Sequence, residues 1–207
     1  MGAERYDAEY ARSLEDPSAF WLAAAGAIDW DVVPQIASIG RPDGMHDWFP
    51  DGSLNTCFNA VDRHVVNGRG DHVALIHDSA MTGQVRRFSY RDLLVEVALL
   101  AGALRDLGVE RGDRVIIYMP MVAEAVFAML ACARLGAVHS VVFGGFAAAE
   151  LAKRIDDATP KVILSASCGL EPNRIVAYKP LLDEALRLAQ HKVLRCLILQ
   201  RPELAAS

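Results

Sequence analysis

Apolar positions follow two alternating spacings from about residue 65 onward. Short runs of Val, Ile and Leu predict strands, whereas segments with apolar residues every three or four positions predict amphipathic helices. The clearest helical stripe consists of Leu93, Val97, Leu100, Leu104 and Leu107. The predicted strands span residues 72–77, 85–88, 115–119, 138–142, 161–165 and 193–199. The predicted helices span residues 89–107, 120–134, 147–157 and 179–190.

Local signals mark where several of these elements begin and end. Ser89 followed by Asp92 is a variant capping box, and Gly108 is placed to end the helix that they open. Pro120 stands where the first turn of the next helix is predicted, and Gly136 stands at the end of that helix. These signals favour the boundaries given by the apolar pattern.

Strands that alternate with helices are typical of an α/β fold. The strand runs are apolar, as expected for parallel strands that are covered on both faces. We therefore predict a partial doubly wound parallel sheet for residues 65–207, preceded by an irregular, partly helical amino-terminal extension, residues 1–64. In that extension, residues 7–14 and 18–25 are predicted helices, and a loop rich in Asp, Gly, Pro and Trp follows at residues 29–52.

Composition excludes several classes of protein. The 207-residue chain is 53% hydrophobic with a net charge of −5, and its Lys and Arg residues form no basic stripe, so we expect no nucleic-acid partner. No apolar run approaches the roughly 20 residues of a membrane-spanning helix, so we expect no membrane partner. The six histidines show no metal-ligand spacing, which predicts no metal site. Four widely spaced cysteines indicate structural thiols in a reducing compartment, and we expect a cytoplasmic protein.

A glycine-rich turn provides the candidate ligand site. Residues 143–146 read Phe-Gly-Gly-Phe and directly follow the predicted strand 138–142. Open α/β sheets bind ligands at the carboxyl ends of their strands, and glycines let backbone N–H groups approach an anionic ligand. Arg174, further along the chain, would supply charge for a phosphate. The turn lacks the Gly-x-Gly-x-x-Gly and P-loop patterns of known phosphate-binding loops. A tight turn that binds no ligand is therefore the alternative.

Residue types alone assign no catalytic group. Asp62, Arg63 and His64 include an acid and a base, but no nucleophile stands beside them in the sequence. We interpret these three residues as local structural contacts and predict no catalytic residue in this chain.

Several ordered motifs resemble those of short-chain acyl-CoA synthetases, a branch of the adenylate-forming AMP-binding superfamily. Residues 51–64 resemble the amino-terminal signature of acetyl-CoA and propionyl-CoA synthetases. Residues 107–115 are similar to a motif shared more broadly by adenylate-forming enzymes. Residues 136–146, which contain the Phe-Gly-Gly turn, match the short-chain synthetases specifically, and residues 154–157 and 178–185 extend the match. The resemblance covers almost the whole chain.

This resemblance implies a two-step ligase. A short carboxylate first reacts with Mg-ATP to give an acyl-adenylate and pyrophosphate, and the thiol of coenzyme A (CoA) then displaces AMP. In the family, the phosphate-binding loop, the adenine and carboxylate pockets and the catalytic lysine all lie further along the polypeptide. The chain therefore resembles the amino-terminal third of a propionate/acetate–CoA ligase. We expect it to be inactive alone and to act together with the remainder of the synthetase.

The resemblance also implies a CoA site. In the family, the Phe-Gly-Gly turn lies against CoA, and two arginines three residues apart contact its adenosine phosphate. Arg174 matches the second arginine, whereas Glu171 stands in the place of the first. A carboxylate near a phosphate is unfavourable, so this departure puts part of the phosphate contact in doubt. The implied CoA-binding residues are Phe143, Gly144, Gly145, Glu171, Pro172, Asn173 and Arg174.

A second class of function stays open, namely a non-catalytic α/β module that binds CoA, a nucleotide or a partner protein. An apolar sheet edge left exposed after residue 199 would discriminate between the two classes. The choice between acetate and propionate also stays open, because the resemblance assigns the acyl pocket to a later part of the polypeptide.

Overall fold

The structure is a computed structural model of the chain and describes residues 3–142, 144 and 147–206. It divides into two compact units, Met1–Asn55 and Thr56–Ser207. The boundary predicted near residue 64 lies inside the second unit, and the assignment of domains stays a prediction. In the described part of the chain, no helix has both the length and the apolar character needed to cross a membrane.

The first unit begins with two helices whose bounds follow local signals. Helix α1 spans Ala3–Glu15 and helix α2 spans Pro17–Ala25. Asp16 caps α2, because its side chain accepts a hydrogen bond from the backbone N–H of Ala19 at 2.9 Å. Pro17 occupies the first turn, where its missing N–H costs no helical hydrogen bond. Both predicted helices are confirmed.

Aromatic side chains order the loop that follows α2. A short antiparallel pair, β1 (Ser38–Gly40) and β2 (His46–Trp48), lies within this loop. Trp30 packs edge-on against Phe49, with 5.5 Å between the ring centroids. The indole N–H of Trp30 donates a hydrogen bond to the carbonyl of Ala25 at 2.9 Å. The loop thus gains its order from aromatic contacts, since regular structure contributes little there.

The second unit contains the strand–helix alternation that the apolar pattern predicts. A π-helical turn, Phe58–Asp62, comes first, followed by the kinked turn Val65–Arg69, in which Gly68 has a φ of 77°. Strands β3 (Val73–Ser79) and β4 (Gln84–Ser89) then form an antiparallel hairpin. The elements that follow are α3 (Tyr90–Asp106), β5 (Arg114–Tyr118), α4 (Ala123–Leu135), β6 (Val138–Val141), α5 (Ala148–Ala158), β7 (Val162–Ala166), β8 (Cys168–Glu171), β9 (Arg174–Ala177), α6 (Tyr178–Leu188) and β10 (Arg195–Leu199).

A parallel sheet forms the centre of the second unit, and its described strands lie in the order β10-β7-β5-β6. Helices α3 and α4 cover one face of the sheet, and helices α5 and α6 cover the other. Alternate residues of β5 pack into two separate hydrophobic cores, one on each face of the sheet. Val115 and Ile117 pack against α3 and α4, whereas Ile116 and Tyr118 pack against α5 and α6. Helices on both faces of a parallel sheet confirm the predicted α/β fold.

Helix α3 begins at the predicted capping box. The Asp92 N–H donates to Ser89 Oγ at 3.1 Å, and the Ser89 N–H donates to Asp92 Oδ2 at 2.8 Å. Leu93, Val97 and Leu104 are buried on the inner face of the helix, as the apolar stripe predicts.

Helix α4 begins three residues later than its proline signal predicts. Pro120 does not open the helix, because residue Val122 is extended (φ −120°, ψ 157°) and Ala123 is the first helical residue. The Val122 N–H donates to the carbonyl of Pro120 at 2.8 Å, which closes a three-residue turn. A proline suits a tight turn as well as a first helical turn, so the sequence signal is ambiguous at this position.

Strand β6 is more exposed than its apolar sequence predicts. Val138 and Val141 each leave 55% of their surface exposed. Among the described strands, β6 pairs with β5 alone, and β10 forms the opposite edge of the sheet. An outer strand has a neighbour on one side, so its side chains lack the cover that β5 and β7 receive in the middle. The expectation that the apolar parallel strands are covered on both faces is therefore wrong for the edge strand β6, and Leu197 of the other edge strand, β10, is exposed as well.

Candidate functional site

A cleft of about 570 Å³ lies at the carboxyl ends of β5 and β6. This is the edge at which open α/β sheets bind ligands. The end of β3, the turn that precedes α4 and the start of α6 also contribute to its walls. The lining includes His77, Met81, Met119, Met121, Val142, Gly144, Leu170, Glu171, Tyr178 and Arg201.

Gly144 is the one residue of the glycine-rich turn that the structure describes, and it is buried in the cleft. Phe143, Gly145 and Phe146 lie outside the described residues. A Cβ atom on Gly144 would overlap the hydroxyl of Tyr178 and would lie 2.7 Å from its Cζ. The absent side chain of Gly144 therefore makes room for the Tyr178 ring.

Two stacked tyrosines, Tyr178 in the cleft lining and the fully buried Tyr118 behind it, lie beside this glycine. The rings of Tyr118 and Tyr178 lie 5.0 Å apart at an interplanar angle of 26°. The Tyr118 hydroxyl donates a long hydrogen bond, 3.5 Å, to the carbonyl of Gly144. Burial, followed by the neighbouring Tyr178, raises the pKa of Tyr118 to about 12. Burial, followed by the charge of Glu171, also raises the pKa of Tyr178, so both phenols stay protonated near neutral pH.

A β-hairpin that the sequence analysis missed forms one wall of the cleft. Strands β8 and β9 pair antiparallel, with Glu171 opposite Arg174 and with Pro172 and Asn173 in the turn between them. Proline at the second and asparagine at the third position of a four-residue turn are common because their backbone preferences fit there. The Pro-Asn dipeptide was therefore a usable signal for this hairpin.

Glu171 and Arg174 form a two-bond ion pair across the hairpin turn. Arg174 Nε donates to Glu171 Oε2 at 2.7 Å, and Arg174 Nη2 donates to Glu171 Oε1 at 3.3 Å. This pairing lowers the pKa of Glu171 and raises the pKa of Arg174. The two residues also line a hollow of about 520 Å³ at the hairpin tip, shared with Ala80 and Met81. The positive charge of Arg174 is thus already matched by a carboxylate.

Arg201 is a second cation at the cleft, and no sequence pattern pointed to it. Its side chain is only 12% exposed, and its Nη1 donates to the carbonyl of Cys168 at 3.1 Å. The backbone N–H of Arg201 donates to Ser167 Oγ at 2.9 Å. An ion pair with Glu203, 3.5 Å between Nε and Oε2, completes these contacts. Arg201 therefore fixes the base of the β8–β9 hairpin to the end of β10.

The opposite wall of the cleft is mostly apolar. Met81, Met119 and Met121 line it, and their thioether side chains adapt to irregular ligands. His77 Nε2 lies 3.0 Å from the carbonyl of Met121, which requires the proton of a neutral imidazole to be on Nε2. The Nδ1 atom of His77 is buried and has no hydrogen-bond partner among the described residues.

Asp62 and His64, the acid and the base noted in the sequence, both make structural contacts. Asp62 forms an ion pair with Arg134 of α4, with 2.6 Å between Arg134 Nη2 and Asp62 Oδ2. The ring centroids of His64 and Tyr90, at the start of α3, lie 4.3 Å apart. The Asp62 contact joins two distant parts of the chain, whereas a local contact was predicted. Desolvation lowers the pKa of His64, with smaller contributions from Arg69 and Arg63.

The four cysteines of the described chain are free thiols. Cys57, Cys132 and Cys168 are buried free thiols, and Cys196 is an exposed free thiol. Burial raises the pKa of Cys132 to about 12, which keeps it a neutral thiol. Within the described ranges, no three His, Cys, Asp or Glu side chains are grouped so that they could hold a metal ion.

Two protein-family models match the chain one after the other. Residues 6–60 match the acetyl-coenzyme A synthetase N-terminus, and residues 62–206 match the AMP-binding enzyme family.

Curated proteins from bacteria and mammals are similar over almost the whole chain. An uncharacterized protein of Pseudomonas aeruginosa is 57% identical over 97% of this chain and 32% of its own length. The mitochondrial acyl-CoA synthetase short-chain family member 3 of Rattus norvegicus is 49% identical over 98% of this chain and 30% of its own length. The propionate–CoA ligase of Escherichia coli is 46% identical over 93% of this chain and 30% of its own length. The chain thus spans about a third of the length of these relatives.

Proposed function

Because this chain belongs to the AMP-binding enzyme family, we propose that it forms the amino-terminal part of a ligase that joins a short carboxylate to CoA. The reaction consumes ATP and yields acyl-CoA, AMP and pyrophosphate. The names of the rat and E. coli relatives, an acyl-CoA synthetase and a propionate–CoA ligase, support this assignment. Acetate and propionate are the proposed substrates, and the cytoplasm is the proposed location.

The proposal rests on the observation that Gly144 and the β8–β9 hairpin line the same cleft. Gly144 follows β6, and Leu170 and Glu171 of β8 line the same cleft at the carboxyl edge of the sheet. A cleft at this edge, with a glycine turn on one side and a charged hairpin on the other, suits a long ligand with a phosphate at one end. CoA has this form.

In this proposal, CoA binds along the turn and the hairpin. Phe143, Gly144 and Gly145 lie against CoA, and Arg174 contacts its adenosine phosphate. A phosphate carries more negative charge than a carboxylate at neutral pH, so it can displace Glu171 from Arg174. Because the ion pair is exposed to solvent, with 70% of the Arg174 side chain and 46% of the Glu171 side chain accessible, this exchange needs little rearrangement.

The turn of the same hairpin completes the proposed site. Pro172 and Asn173 connect Glu171 to Arg174 and lie on the hollow at the hairpin tip. Proline restricts the backbone there, which helps to hold Arg174 in one direction. We therefore include Pro172 and Asn173 among the residues beside the CoA phosphate.

We also propose that adenylate formation requires residues outside this chain. The relatives are about three times as long as the segment that they share with it. In this proposal, Mg-ATP is a substrate of the whole ligase. The 207 residues would supply part of the CoA site and the sheet that supports it. The remainder of the synthetase polypeptide is the proposed partner.

The test combines ATP–pyrophosphate exchange with calorimetric titration of CoA on the purified chain. We expect CoA to bind and expect no carboxylate-dependent exchange with acetate or propionate. Exchange above the carboxylate-free control would contradict the predicted inactivity of the chain. A chain that binds no CoA would contradict the CoA site.

A second titration addresses the non-catalytic alternative. AMP and ATP are titrated into the same chain, and the chain is then joined to the further two thirds that its relatives carry. Formation of propionyl-CoA or acetyl-CoA by the joined protein supports the ligase. Binding of a nucleotide by the chain, with no thioester formed by the joined protein, favours the non-catalytic α/β module.

A further inference from the structure

Tyr178 lies between the two elements that the proposed CoA site brings together. It is the first residue of α6, and its backbone N–H donates to the carbonyl of Ser167 at 3.0 Å. The residue is buried and also lines the cleft. One face of its ring stacks on Tyr118, which is fully buried at the end of β5. Stacking on Tyr118 therefore fixes the ring to the sheet, and the hydrogen bond to Ser167 fixes the backbone of Tyr178.

Two glycines from different elements contact this ring. A Cβ atom on Gly144 would lie 2.9 Å from Tyr178 Cε2, and a Cβ atom on Gly169 of β8 would lie 2.6 Å from Tyr178 Cε1. Real Cβ atoms essentially never approach another atom so closely. Both built Cβ atoms would also meet the Tyr178 hydroxyl and would lie 2.7 Å and 2.9 Å from Cζ, so the two glycines flank the hydroxyl end of the side chain, one on the Cε2 edge and the other on the Cε1 edge.

Space, and not backbone conformation, explains why these two positions are glycine. Neither Gly144 nor Gly169 has a φ in the left-handed region that favours glycine. Any side chain at either position would push the ring away from that position. The ring therefore sets the distance between the turn that contains Gly144 and the hairpin that contains Gly169.

We propose that Tyr178 is the positioning residue of the CoA site, holding the glycine turn and the β8–β9 hairpin at the separation that one CoA molecule spans. This inference rests on the proposed function. It assigns the role to the whole phenol side chain, because both the ring and the hydroxyl of Tyr178 lie against the two glycines. Loss of the ring frees each element to shift independently, and a misplacement of about 1 Å can cost on the order of 100-fold in a precisely oriented site.

The test uses Tyr178→Leu, with Tyr178→Phe as the conservative variant. Leu104→Ala is the structural control, because Leu104 is also buried but belongs to the core on the opposite face of the sheet. Each protein is titrated with CoA well below its melting temperature, after circular dichroism shows that it is folded. We expect Tyr178→Leu to weaken CoA binding by about tenfold or more, since both contacts depend on the ring. We expect Leu104→Ala to bind CoA within about twofold of the parent chain, because it leaves the spacing of the site unchanged. Tyr178→Phe keeps the ring but loses the hydroxyl, so its affinity for CoA should lie between those of the parent chain and Tyr178→Leu.

Fragments of CoA separate positioning from direct contact. Pantetheine reaches only one part of the proposed site, and adenosine 3′,5′-bisphosphate reaches only the other. A residue that sets the distance between the two parts affects a ligand that spans both and spares each fragment. We therefore expect both fragments to bind Tyr178→Leu and the parent chain equally. Equal loss for CoA and for a fragment would overturn the positioning role.

The remaining outcomes distinguish this inference from the proposed function. If the parent chain binds CoA and Tyr178→Leu binds it equally well, the inference alone is overturned. If Leu104→Ala weakens CoA binding as much as Tyr178→Leu, general destabilisation explains the effect and the inference is overturned. If the parent chain binds no CoA, the CoA site and the role of Tyr178 are overturned together.

Discussion

Glu171 and Arg174 face each other across a two-residue turn, with 2.7 Å between Arg174 Nε and Glu171 Oε2. The cation that the proposed site offers to CoA is therefore bound to an internal anion in the free protein. Two consequences follow for ligand binding, one for each member of the pair.

Replacing Glu171 by Gln should strengthen CoA binding. The substitution removes one negative charge and releases Arg174 for a phosphate, so we expect the dissociation constant for CoA to fall by about threefold at low ionic strength. Exposed charges are screened by salt, so the gain should shrink between about 0.05 M and 0.5 M salt. Titration calorimetry of the parent chain and of Glu171→Gln at the two salt concentrations measures this gain in affinity for CoA. Dephospho-CoA, which lacks the 3′-phosphate, should show no gain, and an equal gain for both ligands would contradict the assignment.

Replacing Arg174 by Ala should raise the Michaelis constant for CoA in the intact ligase, meaning this chain joined to the further two thirds of its relatives. We expect an increase of about tenfold with unchanged ATP–pyrophosphate exchange, because the phosphate contact acts only in the second step. Arg187→Ala is a matched control. Arg187 pairs with Glu184 at 2.6 Å with similar exposure, 68% and 45%, but it lies on α6 and does not line the cleft. A Michaelis constant unchanged by Arg174→Ala would refute the role of Arg174.

Replacing Gly169 by Ala should destabilise the chain. The new Cβ would lie 2.6 Å from Tyr178 Cε1, so we expect a loss of about 1–3 kcal/mol in the free energy of unfolding. Urea titrations of Gly169→Ala, Tyr178→Leu and the double variant form a cycle. The loss should be smaller by roughly 1 kcal/mol in the Tyr178→Leu background, since the overlapping ring is gone.

Gly102→Ala serves as the control for that series. Gly102 lies inside α3, and a Cβ built there meets no atom within 4 Å. Alanine favours the helix over glycine by up to about 1 kcal/mol, so this variant should be more stable than the parent chain. If both glycine substitutions destabilise equally, the Tyr178 contact does not explain the effect at residue 169.

Stability at alkaline pH should depend on Tyr118. Its pKa rises from 10.0 to about 12 in the folded chain, so the folded state keeps a proton that the unfolded state releases first. The contribution to stability is complete below pH 10.0 and is lost as the pH rises through about 12. Urea midpoints measured from about pH 8 to pH 11 should fall less steeply for Tyr118→Phe. Tyr10→Phe, at an exposed position, should keep the slope of the parent chain.

The elements that the sequence predicted well are those with strong local causes. Ser89 and Asp92 lie three residues apart, so the capping box can be read directly from the sequence and the structure confirms it. The apolar runs of β5 and β7 likewise predicted strands in the middle of a parallel sheet. Pro120 gave the wrong helix start because its local preference fits two kinds of turn.

The contacts that define the cleft depend on residues far apart in the chain. In the sequence, Gly144 falls in a predicted turn, Gly169 falls in no predicted element, and Tyr178 directly precedes the predicted helix 179–190. No local pattern states that one ring contacts both glycines, since only the folded sheet brings them together. Arg201 is similar, because its side chain reaches a carbonyl 33 positions earlier. The Phe-Gly-Gly motif could thus be recognised, but the reason for a glycine at residue 144 could not.

The packing of Tyr178 between two glycines also constrains how the sequence can change over evolution. A first substitution at Gly144 or Gly169 introduces a clash, and a first substitution at Tyr178 leaves a void beside both. Each single step is therefore costly, and only paired changes conserve the filled volume. Related sequences should show a residue with a Cβ at either glycine position only where residue 178 is smaller than tyrosine.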